Sequence, residues 1–430
     1  MTQTNAKTEV TLEIGALTYG PYGIGRHNGK AIMVPYTAPG DKVLARIVES
    51  KDRYDIAELV QLIDSSSTRQ IPPCPYAGEC GGCSWQQVGY ASQLNAKEQS
   101  VDHALRRIGK LQGYELRPII PSPKEYHYRR RISLQCDSER TLGLFHAFSH
   151  DLIAIDSCLI ADEKLNEIIA PLRSWIKKLT SPMEHAEIVA GDEPGEIVVV
   201  GKLSGEFVSH DDGTCKNFLE QNSTISGLIL YRHNWRRTWG VPTISVVLKD
   251  ETSLNVDADA FTQANPAGNR LILRELLASA EFSDDDRLLE LYCGAGNFTI
   301  PLAKRVREIV AVEGARFSVE SGRKSAQMNR VGNIHWICSA VTVAVKQLQH
   351  RRESFSKIVL DPPRAGAKEI TGNLVSFAAE KIVYVSCNPT TLARDAAALN
   401  RGGYRLSFVQ PIDMFPQTFH VEALAVMTRS

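Results

Sequence analysis

Leu289-Glu-Leu-Tyr-Cys-Gly-Ala-Gly-Asn-Phe298 is an apolar run that passes directly into a glycine turn. The run reads as a buried strand, and Phe298 to about Arg305 as the helix that follows it. Gly294 and Gly296 let the backbone between strand and helix come close to a ligand. Working outward, the alternation continues through Ile309–Glu313, a helix near Phe317–Asn329, Ile334–Ile337, Lys357–Asp361 and the strand stretch Lys381–Asn388. This pattern predicts a parallel, doubly wound α/β sheet of Rossmann-like type, with Tyr404–Val409 and Val421–Met427 closing it as two further strands.

Open sheets of this kind carry their reactive groups at the carboxyl ends of the strands. Glu313 lies about twenty residues beyond the glycine turn, where a carboxylate can grip ribose hydroxyls. Asp361 opens the stiff loop Asp361-Pro-Pro-Arg-Ala-Gly366, and Cys387 follows a strand that Asn388-Pro389 cuts off. Glu422 begins the last apolar strand. Each has a plainer reading: a thiol as a small buried hydrophobe, an acidic loop as a proline turn, Glu422 as a strand-end residue. Thr299 stands where a dinucleotide fingerprint has its third glycine. Nucleophile, glycine turn and two acids on one sheet favour the functional reading.

A chain of 430 residues exceeds one ordinary core and implies two or three domains. Its 43% apolar and 23% charged content suits a soluble globular protein. With 49 basic and 49 acidic residues the formal charge is zero, so any nucleic-acid site must come from local patches. No apolar run is long enough to span a membrane. The opening Met1–Lys7 lacks the apolar core of a leader, so a cytoplasmic location is expected.

From Glu9 to about Asp64, short alternating runs between glycine-rich turns suit a small OB-like barrel. Next, Cys74, Cys80 and Cys83 are spaced C-x5-C-x2-C on a glycine-rich loop, a pattern that converges thiolates on one ion or cluster. Cys158 is the candidate fourth ligand, because Cys136 falls in an expected strand and Cys215 in a polar loop. Zinc and an iron–sulfur cluster both suit four thiolates. Ala91–Arg107 reads as a helix with Gly109 as its stop. Two basic-aromatic clusters follow, Tyr126–Arg131 and Tyr231–Trp239. Arg129, Arg130, Arg131, Arg232, Trp235 and Arg236 are the candidates there for phosphate binding and base stacking; the plainer reading is solvated strand ends. The expected division is residues 1–68, a barrel; 69–256, a β-rich middle domain with the cysteine loop; and 257–430, the α/β domain.

Taken together, Cys74-x5-Cys80-Gly-Gly-Cys83-x2-Gln86, Phe261-Thr-Gln-Ala-Asn265, the glycine turn, Asp361-Pro-Pro-Arg-Ala-Gly, Ser386-Cys-Asn-Pro-Thr-Thr-Leu-Ala-Arg-Asp and His420-Val-Glu resemble the RNA uracil-5-methyltransferase family. Ala16–Arg26 and Pro39-Gly-Asp resemble the TRAM domain, an RNA-binding barrel. The likeness spans nearly the whole chain and is nearest to the RumA/RlmD-type branch, which acts on 23S ribosomal RNA. It implies a class I methyltransferase domain that binds S-adenosyl-L-methionine through Gln263, Tyr292, Gly294, Asn297, Glu313 and Asp361. It further implies a 4Fe-4S cluster on Cys74, Cys80, Cys83 and Cys158, with Cys387 as nucleophile and Glu422 as general base. One departure is Ala340, where the family usually has a polar side chain. A single uridine in 23S ribosomal RNA is the expected substrate, with no obligate protein partner and a monomer as the expected state. The alternatives are a transfer-RNA or dual-site uridine methyltransferase and a non-catalytic iron–sulfur RNA-binding protein.

Overall fold

A computed structural model describes residues 8–248 and 252–430; the opening Met1–Lys7, read above for a leader, lies outside the described residues. Five strands, Glu9–Leu17, Tyr22–His27, Lys30–Pro35, Lys42–Ser50 and Tyr54–Asp64, close into a barrel. Val10, Leu12, Ile14, Ile32, Val34, Val43, Ala45 and Ala57 fill it. The second strand runs through glycines that the sequence suggested were turns. A Cβ on Gly23 would strike Thr37, and one on Gly25 the carbonyl of Glu13, so these glycines admit close backbone approach inside the barrel.

The middle domain is a seven-stranded sheet in the order Trp235–Gly240, Gly227–Arg232, Ile197–Leu203, Met183–Ala190, Arg131–Cys136, Leu142–Phe145, Leu152–Ala154. A helix at Glu163–Lys178 packs Leu165, Ile168, Ile169, Leu172, Trp175 and Ile176 against one face, a spacing that gives a helix one apolar stripe. The opposite face contributes Val198, Val200 and Ile229 to a core shared with the hairpin Thr243–Val247/Ser253–Asp257 and the α/β domain. That hairpin, placed in the middle domain by the expected division, packs against the helix Arg316–Met328 of the α/β domain.

The α/β domain is an eight-stranded sheet in the order Ile334–Cys338, Glu308–Glu313, Arg287–Leu291, Lys357–Leu360, Lys381–Ser386, Glu422–Arg429, Tyr404–Ile412, Glu115–Leu116. The first five are mutually parallel, and Glu422–Arg429 is inserted antiparallel between Lys381–Ser386 and Tyr404–Ile412. Apolar cores cover both faces, as a doubly wound sheet requires. The short strand Glu115–Leu116 comes from the segment after the cysteine loop, so that segment belongs to this sheet's edge.

The helix Tyr90–His103, continued by a π-turn over Ala104–Ile108, packs on the same domain. Lys97 and Asp413 meet there at 2.6 Å with both side chains fully excluded from solvent. Lys97 also donates to Phe415 O at 3.0 Å, and Tyr90 Oη donates to the second oxygen of Asp413 at 2.9 Å. Gln93 and Gln417 exchange two further bonds, each 2.9 Å. Removing one member of a buried pair strands the other's charge, which costs about 3–5 kcal/mol. Lys97→Met is therefore expected to lower the urea midpoint by that equivalent, and a midpoint equal to that of the parent would show that Asp413 is held without it.

Candidate active site

The glycine turn leaves the strand Arg287–Leu291 through Tyr292, a non-glycine residue at φ +61°, and continues with Gly294 and Gly296 at φ +56° and +94°. Left-handed backbone at a residue with a side chain is strained, and here it places Tyr292 on the wall of a cavity. Gln263, Gly294, Asn297 and Asp361 line the same cavity, with Phe261 and Phe298. The Glu313 carboxylate is fixed at the turn by Gly294 N at 3.1 Å and Ala315 N at 2.8 Å. Asn297 is held by a reciprocal amide pair with Asn269, at 2.8 and 2.9 Å. All six residues expected to bind the cofactor thus gather at one turn. Ala340 caps the helix Val341–His350 with no side-chain bond.

Cys387 and Glu422 are brought together by register. The antiparallel ladder ends with Ser386 opposite Ala423, so the next pair along it is Cys387 and Glu422. Asn388 then caps the helix Pro389–Arg401, its Oδ1 accepting from Thr390 N at 3.0 Å, with Pro389 in the first turn. Burial raises the Cys387 thiol to about 11; the Glu422 and Asp361 charges push the same way, and Arg364 opposes them. Burial also holds Glu422 well above the usual carboxylate range, with Asp361 adding to the effect. Asp361 is raised to about 7 and Glu290 to about 8, in both cases chiefly by burial. A cluster of desolvated acids with so few cations favours a positively charged ligand.

Arg364 received no role from the sequence, although it sits three residues after Asp361 in the same motif. Its side chain is exposed and meets the His420 ring at 3.4 Å. Burial and neighbouring cations lower His420 to about 4, so its Nε2 is free to accept.

Cys74, Cys80, Cys83 and Cys158 converge on one cavity of about 160 Å³. Among the described residues no three His, Cys, Asp or Glu side chains are grouped as closely as a single metal ion requires. Gly82 N donates to Cys80 Sγ at 3.4 Å, and Gln86 bonds Cys83, so amide donors already face the sulfurs.

The arginines of the two clusters are engaged within the protein. Arg130 is 3% exposed and ion-paired with Asp192. Arg131 donates to Ala258 O and Ala260 O at 2.6 and 2.8 Å and pairs with Glu187 at 3.1 Å. Arg236 is claimed by Asp259 and Asp257 at 2.8 and 3.1 Å. These three clamp the middle sheet to the segment leading into the α/β domain and present no free guanidinium to RNA. Arg129 lines the cysteine cavity, Arg232 pairs with Glu206 at 2.6 Å, and Trp235 stacks on Phe207 at 5.0 Å.

Strand order, glycine turn and acidic strand ends define a class I methyltransferase. Comparison with known proteins takes this further. Residues 245–430 match the family model described as tRNA (Uracil-5-)-methyltransferase, and 11–68 match the TRAM domain of tRNA (uracil(54)-C(5))-methyltransferase. The 23S rRNA (uracil(1939)-C(5))-methyltransferase RlmD of Aeromonas salmonicida is 34% identical, covering 97% of this chain and 96% of that one. An uncharacterized RNA methyltransferase of Synechocystis is 30% identical over 97% of this chain and 95% of its own. The crystal structure of Pyrococcus abyssi tRNA (uracil-54, C5)-methyltransferase with S-adenosyl-L-homocysteine superposes with a TM-score of 0.73 at 25% identity, over 97% of this chain and 100% of that one. The chain belongs to the RNA (uracil-5-)-methyltransferase family, and it is an enzyme.

With the thiol raised to about 11, alkylation of Cys387 in the ligand-free protein should climb roughly tenfold per pH unit from 7 to 9. Iodoacetamide labelling read by peptide mass spectrometry checks this, and a plateau below pH 9 would show a thiolate already formed.

Proposed function

We propose that this enzyme methylates C5 of a uridine in 23S ribosomal RNA, with Cys387 as nucleophile and Glu422 as general base. The observation that carries the reading is the pairing of these two side chains across the end of one ladder, beside the acid-rich glycine-turn cavity. Uracil C5 is a weak nucleophile. Addition of the Cys387 thiolate to C6 makes C5 enolate-like, and C5 then attacks the methyl carbon. S-adenosyl-L-methionine supplies an electrophilic methyl on a sulfonium, a cation that the Asp361 side of the cavity favours. Glu422 removes the remaining C5 proton, and β-elimination returns Cys387. A carboxylate raised by burial is a stronger base once ionised, which suits that step. Arg364, beside both groups, eases thiolate formation by its charge.

The ribosomal rather than transfer-RNA substrate is favoured by the full-length match to the Aeromonas enzyme. Since the arginine clusters are occupied, the RNA face proposed here is a recess lined by Pro21, Tyr36, Ser84, Phe148, Phe419 and His420, on which Tyr22 and Phe148 already stack at 5.7 Å. Its aromatic rings suit unstacked bases, and uracil must leave its stack for both C5 and C6 to be reached.

The four converging thiols, their amide donors and the buried Arg129 Nε without a partner fit an anionic 4Fe-4S cluster. The cluster's expected role is to clamp the loop 74–83 to the middle sheet. Anaerobically purified protein should absorb broadly near ~400 nm, and Cys158→Ala should abolish that band; a colourless protein containing zinc would refute the cluster.

Glu422→Gln is expected to accumulate a covalent complex of methylated RNA and protein that survives denaturing electrophoresis, while Cys387→Ser forms none and loses at least about 10³-fold in turnover. Free product release by Glu422→Gln at the parent rate would contradict the base assignment.

A further inference from the structure

The connection between the first two barrel strands, Thr18-Tyr-Gly-Pro21, closed by Tyr22, reaches the catalytic sheet. It is stiffened from within: Thr18 N and Oγ1 both donate to Tyr22 O, at 2.9 and 3.0 Å, and Gly20 N donates to Thr18 O at 2.8 Å. Trp85, 1% exposed, holds it from outside by donating Nε1 to Gly20 O at 3.2 Å. From this fixed base Tyr19 projects away from the barrel. Its ring meets Phe419 edge-on at 5.6 Å and packs against the core of the α/β domain. Its hydroxyl donates to the carbonyl oxygen of Cys387 at 2.9 Å.

That carbonyl lies between two regular elements, in a peptide whose own N–H, that of Asn388, donates to Ser386 Oγ at 3.2 Å. The ladder has ended at Ser386, and the helix begins only at Pro389. Among the described residues, Tyr19 is the donor this carbonyl has. Burial raises the phenol further above its already high range, so the hydroxyl keeps its proton throughout working pH. We infer that Tyr19 is a positioning residue for the nucleophile, so that the N-terminal barrel completes the catalytic centre through one hydrogen bond as well as offering a surface to RNA. The bond holds the carbonyl side of the Cys387–Asn388 peptide while Ser386 Oγ holds its N–H side, and the two together set the direction in which Sγ leaves the backbone. A misplacement of about 1 Å at a reacting atom costs up to about 10²-fold in rate. The inference rests on Cys387 being the nucleophile.

Three variants test it in the full-length protein with S-adenosyl-L-methionine and unmodified 23S ribosomal RNA. Tyr19→Phe keeps the ring on Phe419 and deletes only the hydroxyl. It is expected to keep KM for both substrates and Tm near the parent values, and to lose about 5- to 20-fold in kcat and in the single-turnover rate alike. Tyr19→Ala should add a fall in Tm, because it also removes the packing. Parent-like kcat in Tyr19→Phe would overturn the inference, as would a loss confined to KM for RNA, which would make Tyr19 an RNA contact. Cys387→Ser run in parallel separates the two readings: if it still turns over, the nucleophile assignment has failed, whatever Tyr19→Phe does.

Discussion

Lys97 and Asp413 come from segments more than three hundred residues apart and meet at 2.6 Å with no exposure to water. Either charge left there alone would cost about 3–5 kcal/mol. The pair therefore exists only when the helix Tyr90–His103 is seated on the α/β domain. Around it, Tyr90 donates to the Asp413 carboxylate, Gln93 and Trp85 bond the Gln417 backbone, and Tyr128 Oη donates to Pro416 O at 3.0 Å. This loop feeds directly into Phe419, His420 and Glu422. The cysteine-loop segment is thus the mould in which Glu422 is set, and the barrel adds Tyr19 from the other side. Three parts of the chain meet at one strand end.

The acids of the centre follow the same logic of desolvation. Glu290, Asp361 and Glu422 are all shifted toward their neutral forms by burial, and the Cys387 thiol is shifted with them. Burial thus disfavours the charged form of each of these groups, and a cation bound beside Asp361 would favour it. Arg364, exposed and leaning on a neutral His420, is the protein's own contribution in that direction.

The α/β sheet and the clustering of its candidate site residues were legible because their signals are local. The glycine turn, the Asp361 loop, Cys387 before Asn-Pro and the strand-leading Glu422 each announce themselves within a few residues, and the structure gathers them. The partners of the arginine clusters were not legible because they are remote: Asp192, Glu187, Asp257 and Asp259 lie tens of residues away and reach Arg130, Arg131 and Arg236 only once the sheets are packed. Tyr22–His27 was mistaken for turns because its glycines answer to barrel crowding rather than to backbone reversal. Tyr19 carried no signal at all, since nothing in a tyrosine between Thr18 and Gly20 points to a partner at Cys387.

The central claim is that Cys387 and Glu422 methylate ribosomal uridine. It is tested most directly by incubating the protein with methyl-labelled S-adenosyl-L-methionine and, separately, unmodified 23S ribosomal RNA and transfer RNA, then digesting each to nucleosides. Label recovered as 5-methyluridine from the 23S RNA at one position, and absent after Cys387→Ser, is the expected result. Label in transfer RNA alone would contradict the substrate, and transfer to 23S RNA undiminished by Cys387→Ser would contradict the chemistry.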